Sequence, residues 1–255
     1  MTNFDDYLNE QLKNDEFKAE YEALEPEFAT ISTNEIFKPK FSMSIKDNVL
    51  WAKRNLIDSI WKSANLEGIA VTYPDTQVIC EGMSVAGYSI DEINAVNDLK
   101  HAWQYLLDNI EQSVSLDFMK TLHRELGKFT VTNAGSIRWH EVHIGGTEWI
   151  PPIPDKNTII AGLEKINRIK NPMDMALEMF LFCARGQFFY DGNKRLSTLM
   201  ANKVMIQNGI GILSIPIKYH TDFYKMLIKY YETAQKTELK NFLYKYCIDG
   251  ITLSK

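Results

Sequence analysis

The chain has 255 residues, of which 45% are hydrophobic and 24% charged, with 13 glycines and 8 prolines. This composition excludes a disordered or collagen-like chain, and the length fits one large domain or a core with a terminal extension. With 28 basic and 33 acidic residues the net charge is −5, which excludes a general nucleic-acid-binding surface, so any anion site must be local.

Cysteine usage and the N-terminus indicate where the protein works. Cys80, Cys183 and Cys247 lie far apart without a C-x-x-C pair, so we expect neither a disulfide framework nor a cysteine zinc site. Residues 1–15 lack the apolar stretch of a signal peptide, and no segment approaches the roughly 18 apolar residues of a membrane span. We therefore expect a soluble, cytoplasmic protein without nucleic-acid or membrane partners.

The pattern of the sequence divides the chain into three parts. Residues 1–43 show weak periodicity, and we expect a helical or partly irregular extension. Residues 44–88 begin with apolar side chains at helical spacing, which predict one amphipathic helix ending at Glu67 and Gly68. Residues 89–255 would form the core.

The core opens with two predicted helices. The first begins at Ser89, which has the capping-box spacing to Glu92. The second runs from Leu116 to Leu126 and is followed by Gly127, where a left-handed residue commonly ends a helix.

One segment has the alternation of β-strands. Two short alternating runs flank Gly145 and Gly146, and glycine suits the positive φ angles of a tight hairpin turn. We expect residues 142–149, which we call the flap, to form a β-hairpin.

The remaining core predicts helices. Asp155 can cap one helix, and residues 175–184 are apolar almost all round, which predicts a buried central helix. Another is expected over about 196–208, and two more within 219–248. The predicted fold class is therefore all-α, a helical bundle with one β-hairpin flap.

Polar residues gather between two apolar helices in the run Asp191-Gly192-Asn193-Lys194-Arg195. Glycine permits a tight turn whose N–H groups, together with the start of the next helix, can bind an anion. Asn193, Lys194 and Arg195 add donors and cations for phosphate, and Asp191 is an oxygen ligand of the kind that Mg²⁺ uses. On these residues alone, an equal alternative is a solvent-exposed turn in which Asp191 caps the helix and Lys194 and Arg195 face water.

The same region resembles the Fic (filamentation induced by cAMP) family, whose motif reads H-P-F-x-[D/E]-G-N-G-R-x-x-R, with K for the second G in some members. Residues 187–198 align with it and keep F-x-D-G-N-K-R intact. Residues 85–89 resemble the family's V-G-G-x-S signature, and residues 135–152 resemble its flap. The similarity extends over about 44–249, and agreement at several ordered positions is more specific than one motif.

The resemblance implies an all-α fold and transfer of AMP from ATP to a hydroxyl group of a target protein. It implies ATP and Mg²⁺ as cofactors, with a nucleotide and an unidentified target protein as partners. Asp191 would bind Mg²⁺, while Gly192, Asn193, Lys194 and Arg195 would hold phosphate. The flap would dock the target as an added strand. Its docking residues are Val142, His143, Ile144, Gly145, Gly146 and Thr147.

A second resemblance concerns regulation. Many Fic proteins carry an inhibitory helix ending in [S/T]-x-x-x-E-[G/N], and Ser63, Glu67 and Gly68 match its fixed positions. The resemblance implies that Glu67 competes with the γ-phosphate, because a carboxylate can occupy an anion's place beside arginine and lysine.

Two positions depart from the family. Gln187 stands at the catalytic histidine, and its amide cannot accept a proton, which removes a contribution of roughly 10² to 10⁴ in rate. Thr198 replaces the second arginine, which leaves Glu67 to pair with Lys194 or Arg195, or with nothing. His140 and His143 flank the flap, but we do not expect either to rescue the missing base.

Three functions stay open on the sequence. The first is an autoinhibited adenylyltransferase, weakened or altered by Gln187. The second is a non-catalytic, nucleotide-binding regulator, and the third is a phosphotransferase, because the N-K-R variant also resembles Doc toxins. The oligomeric state stays open as well, including a homo-oligomer.

Overall fold

The computed structural model describes residues 37–252, which fold mainly as α-helices. The helices are α1 (Ile45–Arg54), α2 (Leu56–Leu66), α3 (Tyr73–Cys80), α4 (Ile90–Asp108), α5 (Leu116–Leu126), α6 (Lys156–Asn167), α7 (Pro172–Gly186), α8 (Asn193–Gln207), α9 (His220–Thr233) and α10 (Thr237–Tyr246). A 3₁₀ turn spans Ile217–Tyr219, and two short strands, β1 (Ile212–Leu213) and β2 (Ile248–Asp249), pair antiparallel. The all-α fold class is confirmed.

Helix α7 lies in the core, as its apolar sequence predicts. Leu177, Phe180 and Leu181 are each 0% exposed, and α7 packs along α8, most of whose residues are also buried. Burial of apolar surface contributes roughly 25 cal/mol per Å². The loop between α7 and α8 is therefore fixed to the core at both ends.

Side-chain caps begin several helices, two of them at the residues that the sequence predicts. Ser89 and Glu92 form the expected capping box at α4, and the Asp155 carboxylate accepts the N–H of Thr158 at α6. Asn171 caps α7, with a proline at the first helical position. Such caps contribute about 1 kcal/mol each.

Some helix boundaries differ from the prediction. The single helix expected after residue 44 is broken at Asn55 (φ −99°, ψ 14°) into α1 and α2. Helix α8 begins at Asn193, earlier than predicted. Gly127 is not left-handed, with φ at −122°; it is needed for space, because a Cβ there would lie 2.6 Å from the Cβ of Val131.

The flap forms a turn without the two strands that the sequence predicts. Gly145 and Gly146 make the turn, with Gly146 at φ +86°. The flap is held by α9 instead of by a strand ladder: the Thr147 hydroxyl donates to the Glu232 carboxylate at 3.0 Å. A Cβ on Gly146 would lie 2.9 Å from Ile228. The strand pairing of the described fold is the one between β1 and β2.

A buried carboxylate places the segment that leads to the flap. Asp98 on α4 is 0% exposed and accepts the backbone N–H groups of Phe129 and Thr130 at 3.1 Å and the Thr130 hydroxyl at 2.8 Å. A buried carboxylate requires such partners. The chain after α5 is thereby tied to α4 before it continues to the flap.

Residues 1–36 and 253–255 lie outside the described residues, so most of the predicted extension 1–43 is not described. Within residues 44–88, α1 packs on α8 and α2 packs on α4. Among the helices of residues 37–252, none is both long and apolar enough to cross a membrane.

Candidate functional site

A cleft of about 330 Å³ lies beside the start of α8. Its walls come from Glu67 after α2, from flap residues 142–145, from α9, and from residues 187–192, which we call the site loop. The remaining lining residues are Asn193, Lys194, Tyr224, Leu227, Ile228 and Tyr231. The fold thus gathers most of the residues that the sequence predicts for the site.

Other predicted residues lie next to the cleft or away from it. Ser63 and Arg195 line a smaller neighbouring cavity together with Thr198. Gly68 has φ at +84°, and a Cβ there would meet nothing within 4 Å. Gly146, as described above, faces α9 rather than the cleft.

The site loop begins where α7 ends, at Gln187. This residue is left-handed (φ 43°, ψ 52°), which costs a non-glycine residue roughly 1–2 kcal/mol. Its side-chain amide nitrogen donates to the Ala184 carbonyl at 2.8 Å and to the Tyr231 hydroxyl at 3.4 Å. The residue at the predicted catalytic position is therefore held by bonds within the protein.

Asn193 closes the site loop from inside. Its side-chain oxygen accepts the N–H of Phe189 at 3.0 Å, and its amide donates to the Phe189 carbonyl at 2.7 Å. Asn193 is 5% exposed. Its carboxamide shapes the loop, so a contribution to an anion would come from its backbone N–H.

Arg138 joins the site loop to both ends of the flap. It is 1% exposed, and its guanidinium donates to the carbonyls of Gln187 (2.5 Å), His140 (2.7 Å) and residues 151 and 152 (3.2 and 2.5 Å). Its backbone N–H donates to the Phe188 carbonyl at 3.0 Å. Burial lowers the pKa of Arg138, and the surrounding carbonyls supply the acceptors that a buried guanidinium requires.

His123 holds the far end of the site loop. Its Nε2 lies 2.8 Å from the Asp191 carbonyl oxygen, and its Nδ1 accepts the N–H of Gly135 at 2.8 Å. The ring stacks on Phe189 with centroids 3.8 Å apart. Burial lowers the pKa of His123 to about 4, so the ring is neutral near pH 7.

The start of α8 presents donors to the cleft. Its N-cap is Gly192 (φ 75°), with no side-chain cap, and the first N–H groups of a helix lack partners within the helix. The Lys194 ammonium donates to the Tyr224 hydroxyl at 2.8 Å. Arg195 is 7% exposed, and its Nε has no hydrogen-bond partner within the described residues.

Glu67 approaches these cations without hydrogen-bonding to them. Its Oε1 lies 3.6 Å from the Lys194 ammonium, and its Oε2 lies 3.9 Å from Arg195 Nε. Both distances exceed those of a hydrogen bond. Among the described residues, Glu67 Oε1 has no hydrogen-bond partner either.

The Asp191 side chain is 68% exposed, with Oδ1 3.7 Å from Arg195 Nη2. No group of three or more His, Cys, Asp or Glu within residues 37–252 could hold a metal by itself. Mg²⁺ at nucleotide sites needs only one or two carboxylates, because phosphate oxygens and water complete its shell. Asp191 beside the uncapped start of α8 fits that requirement.

Three residues at or behind the cleft were not predicted from the sequence. His123 lies on the buried side of α5 with Met119 and Leu122, and a histidine on an apolar stripe was the available signal. Tyr224 and Tyr231 of α9 also line the cleft, but their spacing in the sequence is equally typical of residues that pack in the core. His143, which the sequence predicts as a flap residue, lines the cleft.

The chain is similar in sequence to known proteins. Residues 113–205 match the sequence model of the Fic/DOC family. The protein adenylyltransferase Fic of Drosophila melanogaster is 26% identical over 187 residues, which cover 69% of this chain and 37% of the relative. The same protein of Drosophila mojavensis is 27% identical over 186 residues, covering 69% and 36%. The match thus spans little more than a third of these relatives.

Solved structures share the fold. A Fic-1 fragment from C. elegans superposes with a TM-score of 0.62 at 20% identity, covering 78% of this chain and 64% of the fragment. A Fic family protein from Desulfovibrio desulfuricans gives a TM-score of 0.61 at 16% identity, covering 81% and 73%. Residues 113–205 thus match the Fic/DOC family, and the chain is similar to Fic proteins in sequence and in fold.

Proposed function

We propose that the cleft binds Mg-ATP and that the chain transfers AMP from ATP to a hydroxyl group of a target protein. Proteins named adenylyltransferases are similar to this chain, but the match spans 37% of their length. The activity and the target are therefore inferred from the residues of the site.

One observation carries the nucleotide part of the proposal, the unpaired Nε of the buried Arg195. A buried donor without an acceptor costs roughly 1–3 kcal/mol. A phosphate oxygen is an acceptor that suits a guanidinium, and the uncapped start of α8 adds N–H groups and its positive dipole end in the helix turn that carries Arg195. An anion bound there would satisfy donors that the protein leaves unpaired.

Asp191 would be the protein ligand of Mg²⁺. When bound, the ion would offset the negative charge of the phosphates. The exposed carboxylate leaves room for phosphate oxygens and water to complete the ion's shell.

The proposed reaction is an exchange of bonds at the α-phosphorus. The target's hydroxyl oxygen bonds to that phosphorus, the bond to the bridging oxygen of the β-phosphate breaks, and pyrophosphate leaves. The hydroxyl proton passes to water, because the Gln187 carboxamide can hydrogen-bond the hydroxyl but cannot take its proton. We therefore expect a rate roughly 10² to 10⁴ below that of an enzyme with a histidine there.

The flap would hold the target segment. Residues 142–145 line the cleft, so a segment pairing with the flap's main chain would bring a hydroxyl group to the nucleotide. Arg138 supports this role, because it fixes the flap ends to the site loop.

We also propose that Glu67 inhibits binding. Its carboxylate lies within 4 Å of both Lys194 and Arg195, where it takes the place of a phosphate oxygen. The contact lacks hydrogen bonds, which leaves it open to displacement by a triphosphate that can make them.

The test combines binding and label transfer. Calorimetry with Mg-ATP should show binding that weakens by roughly tenfold or more in Arg195→Gln, because hydrogen bonds to charged groups contribute roughly 1.5–3 kcal/mol. Arg168→Gln, on an exposed side chain, is the matched control and should bind normally. Absence of binding by the unmodified chain and by Glu67→Gly would overturn the proposal.

Transfer of label from α-labelled ATP to lysate proteins should be weak for the unmodified chain and strong for Gln187→His with Glu67→Gly. Transfer from γ-labelled ATP instead would identify a phosphotransferase. Label remaining in the nucleotide throughout would contradict AMP transfer.

The bonds of Gln187 favour a second candidate. Its side-chain amide already pairs with Ala184 and Tyr231, which suits a nucleotide-binding regulator that performs no transfer. Binding of Mg-ATP without label transfer, even in the double variant, would establish this function.

A further inference from the structure

We infer that His123 is a positioning residue, which aims the backbone N–H of Gly192 into the cleft by holding the carbonyl of Asp191. The inference rests on the proposed nucleotide binding. The side chain that we add to the proposed site, His123, lies behind the site loop and does not line the cleft.

The hydrogen bonds of the ring fix its tautomer. The Gly135 N–H points at Nδ1 from 2.8 Å, so Nδ1 must carry a lone pair. The proton of the neutral ring is then on Nε2, which donates to the Asp191 carbonyl at 2.8 Å. Stacking on Phe189, with an interplanar angle of 7°, restricts rotation of the ring.

The direction of one carbonyl sets the direction of the next N–H. In a trans peptide the C=O and N–H groups point to opposite sides. Because the Asp191 carbonyl is held against the buried imidazole, the Gly192 N–H points the other way. On that side the Gly192 N–H donates to the Asp191 carboxylate at 2.5 Å, and both residues line the cleft.

This peptide needs an anchor because of Gly192. Glycine adopts positive and negative φ about equally well, so the peptide before it can rotate at little cost. The observed φ is +75°. Without the His123 hydrogen bond, the Gly192 N–H would point away from a bound phosphate part of the time. Binding would then have to order this peptide, which weakens the affinity.

Two substitutions distinguish the hydrogen-bonding role of His123 from a role in packing alone. In His123→Gln the side-chain amide can still donate to Asp191, whereas in His123→Asn the oxygen can still accept from Gly135 but the Asp191 contact is lost. Both remove the aromatic stack. Calorimetric Kd for Mg-ATP should rise roughly tenfold in His123→Asn and by no more than about threefold in His123→Gln. His101→Asn serves as a control.

Hydrogen exchange supplies a readout that does not depend on nucleotide. The peptide covering residues 187–195 should exchange faster in His123→Asn than in His123→Gln. Equal exchange and equal Kd in the two variants would overturn the inference. If the unmodified chain binds no Mg-ATP, the proposed function fails, while the exchange comparison still decides the role of His123.

Nitrogen NMR of the unmodified chain covers the case in which the variants do not fold. It should show a neutral ring protonated at Nε2. Protonation at Nδ1 would contradict the inference.

Discussion

The site loop and the Glu67 contact face each other across the same cleft, yet they are built in opposite ways. Asn193, Arg138 and His123 hold the loop's backbone with hydrogen bonds of 2.5–3.0 Å. Glu67 lies 3.6 and 3.9 Å from its cations, and one of its oxygens has no hydrogen-bond partner among the described residues. The site loop is fixed by hydrogen bonds, whereas the Glu67 carboxylate reaches its cations without any.

In the proposed function, this difference separates the part that would bind the nucleotide from the part that would regulate binding. A backbone held in place before binding saves the free energy of ordering it, which strengthens binding. A carboxylate that leaves buried donors unpaired gains little from its position. The loop is thus suited to hold an anion, and Glu67 is suited to leave when one arrives.

The largest expected effect comes from breaking the support of the site loop at Arg138. In Arg138→Met, buried carbonyls that include those of Gln187 and residue 152 lose their hydrogen-bond donor. We therefore expect the free energy of unfolding to fall by about 3 kcal/mol or more. Urea unfolding measures this loss. Arg168→Met removes the same charge from an exposed side chain and should change stability by less than about 0.5 kcal/mol.

A smaller effect tests how closely the loop approaches His123. Gly192→Ala keeps φ at +75° and places a Cβ 3.3 Å from His123 Nε2, so the anchor must shift. Gly87 has a similar φ of +93° with nothing within 4 Å. We expect Gly87→Ala to cost about 1 kcal/mol of strain and Gly192→Ala to cost about 2 kcal/mol with weaker Mg-ATP binding.

Thermal unfolding and calorimetry of the two alanine variants provide this comparison. Equal stability losses with unchanged binding would mean that the loop tolerates movement of His123, and the contrast between the site loop and Glu67 would weaken.

Signals within a few residues were enough to predict much of the fold. The capping box of Ser89 and Glu92, the apolar run of α7 and the polar run from Asp191 to Arg195 each depend on near neighbours. Helix periodicity and cap spacing are properties of such short stretches. The all-α fold class follows from them.

What the sequence missed depends on distant contacts. His123 and Asp191 are 68 residues apart in the chain, so no local pattern relates them. The flap alternates like a strand, but side-chain contacts with Ile228 and Glu232 hold it instead. Likewise, the Asn193 carboxamide turns inward to Phe189, which the residue types alone do not determine.

The smallest effect on stability is expected at the Glu67 side chain. Glu67→Gln keeps the shape of the side chain and removes its charge. Because the ion pairs with Lys194 and Arg195 lack hydrogen bonds, we expect the free energy of unfolding to change by less than about 1 kcal/mol.

Glu67→Gln should at the same time tighten Mg-ATP binding, because it removes a charge that competes with phosphate. Glu81→Gln, on an exposed side chain, controls for the loss of charge and should leave Kd unchanged. A large loss of stability in Glu67→Gln would show that this carboxylate is part of the fixed structure, since a regulatory group has to be released without unfolding what surrounds it.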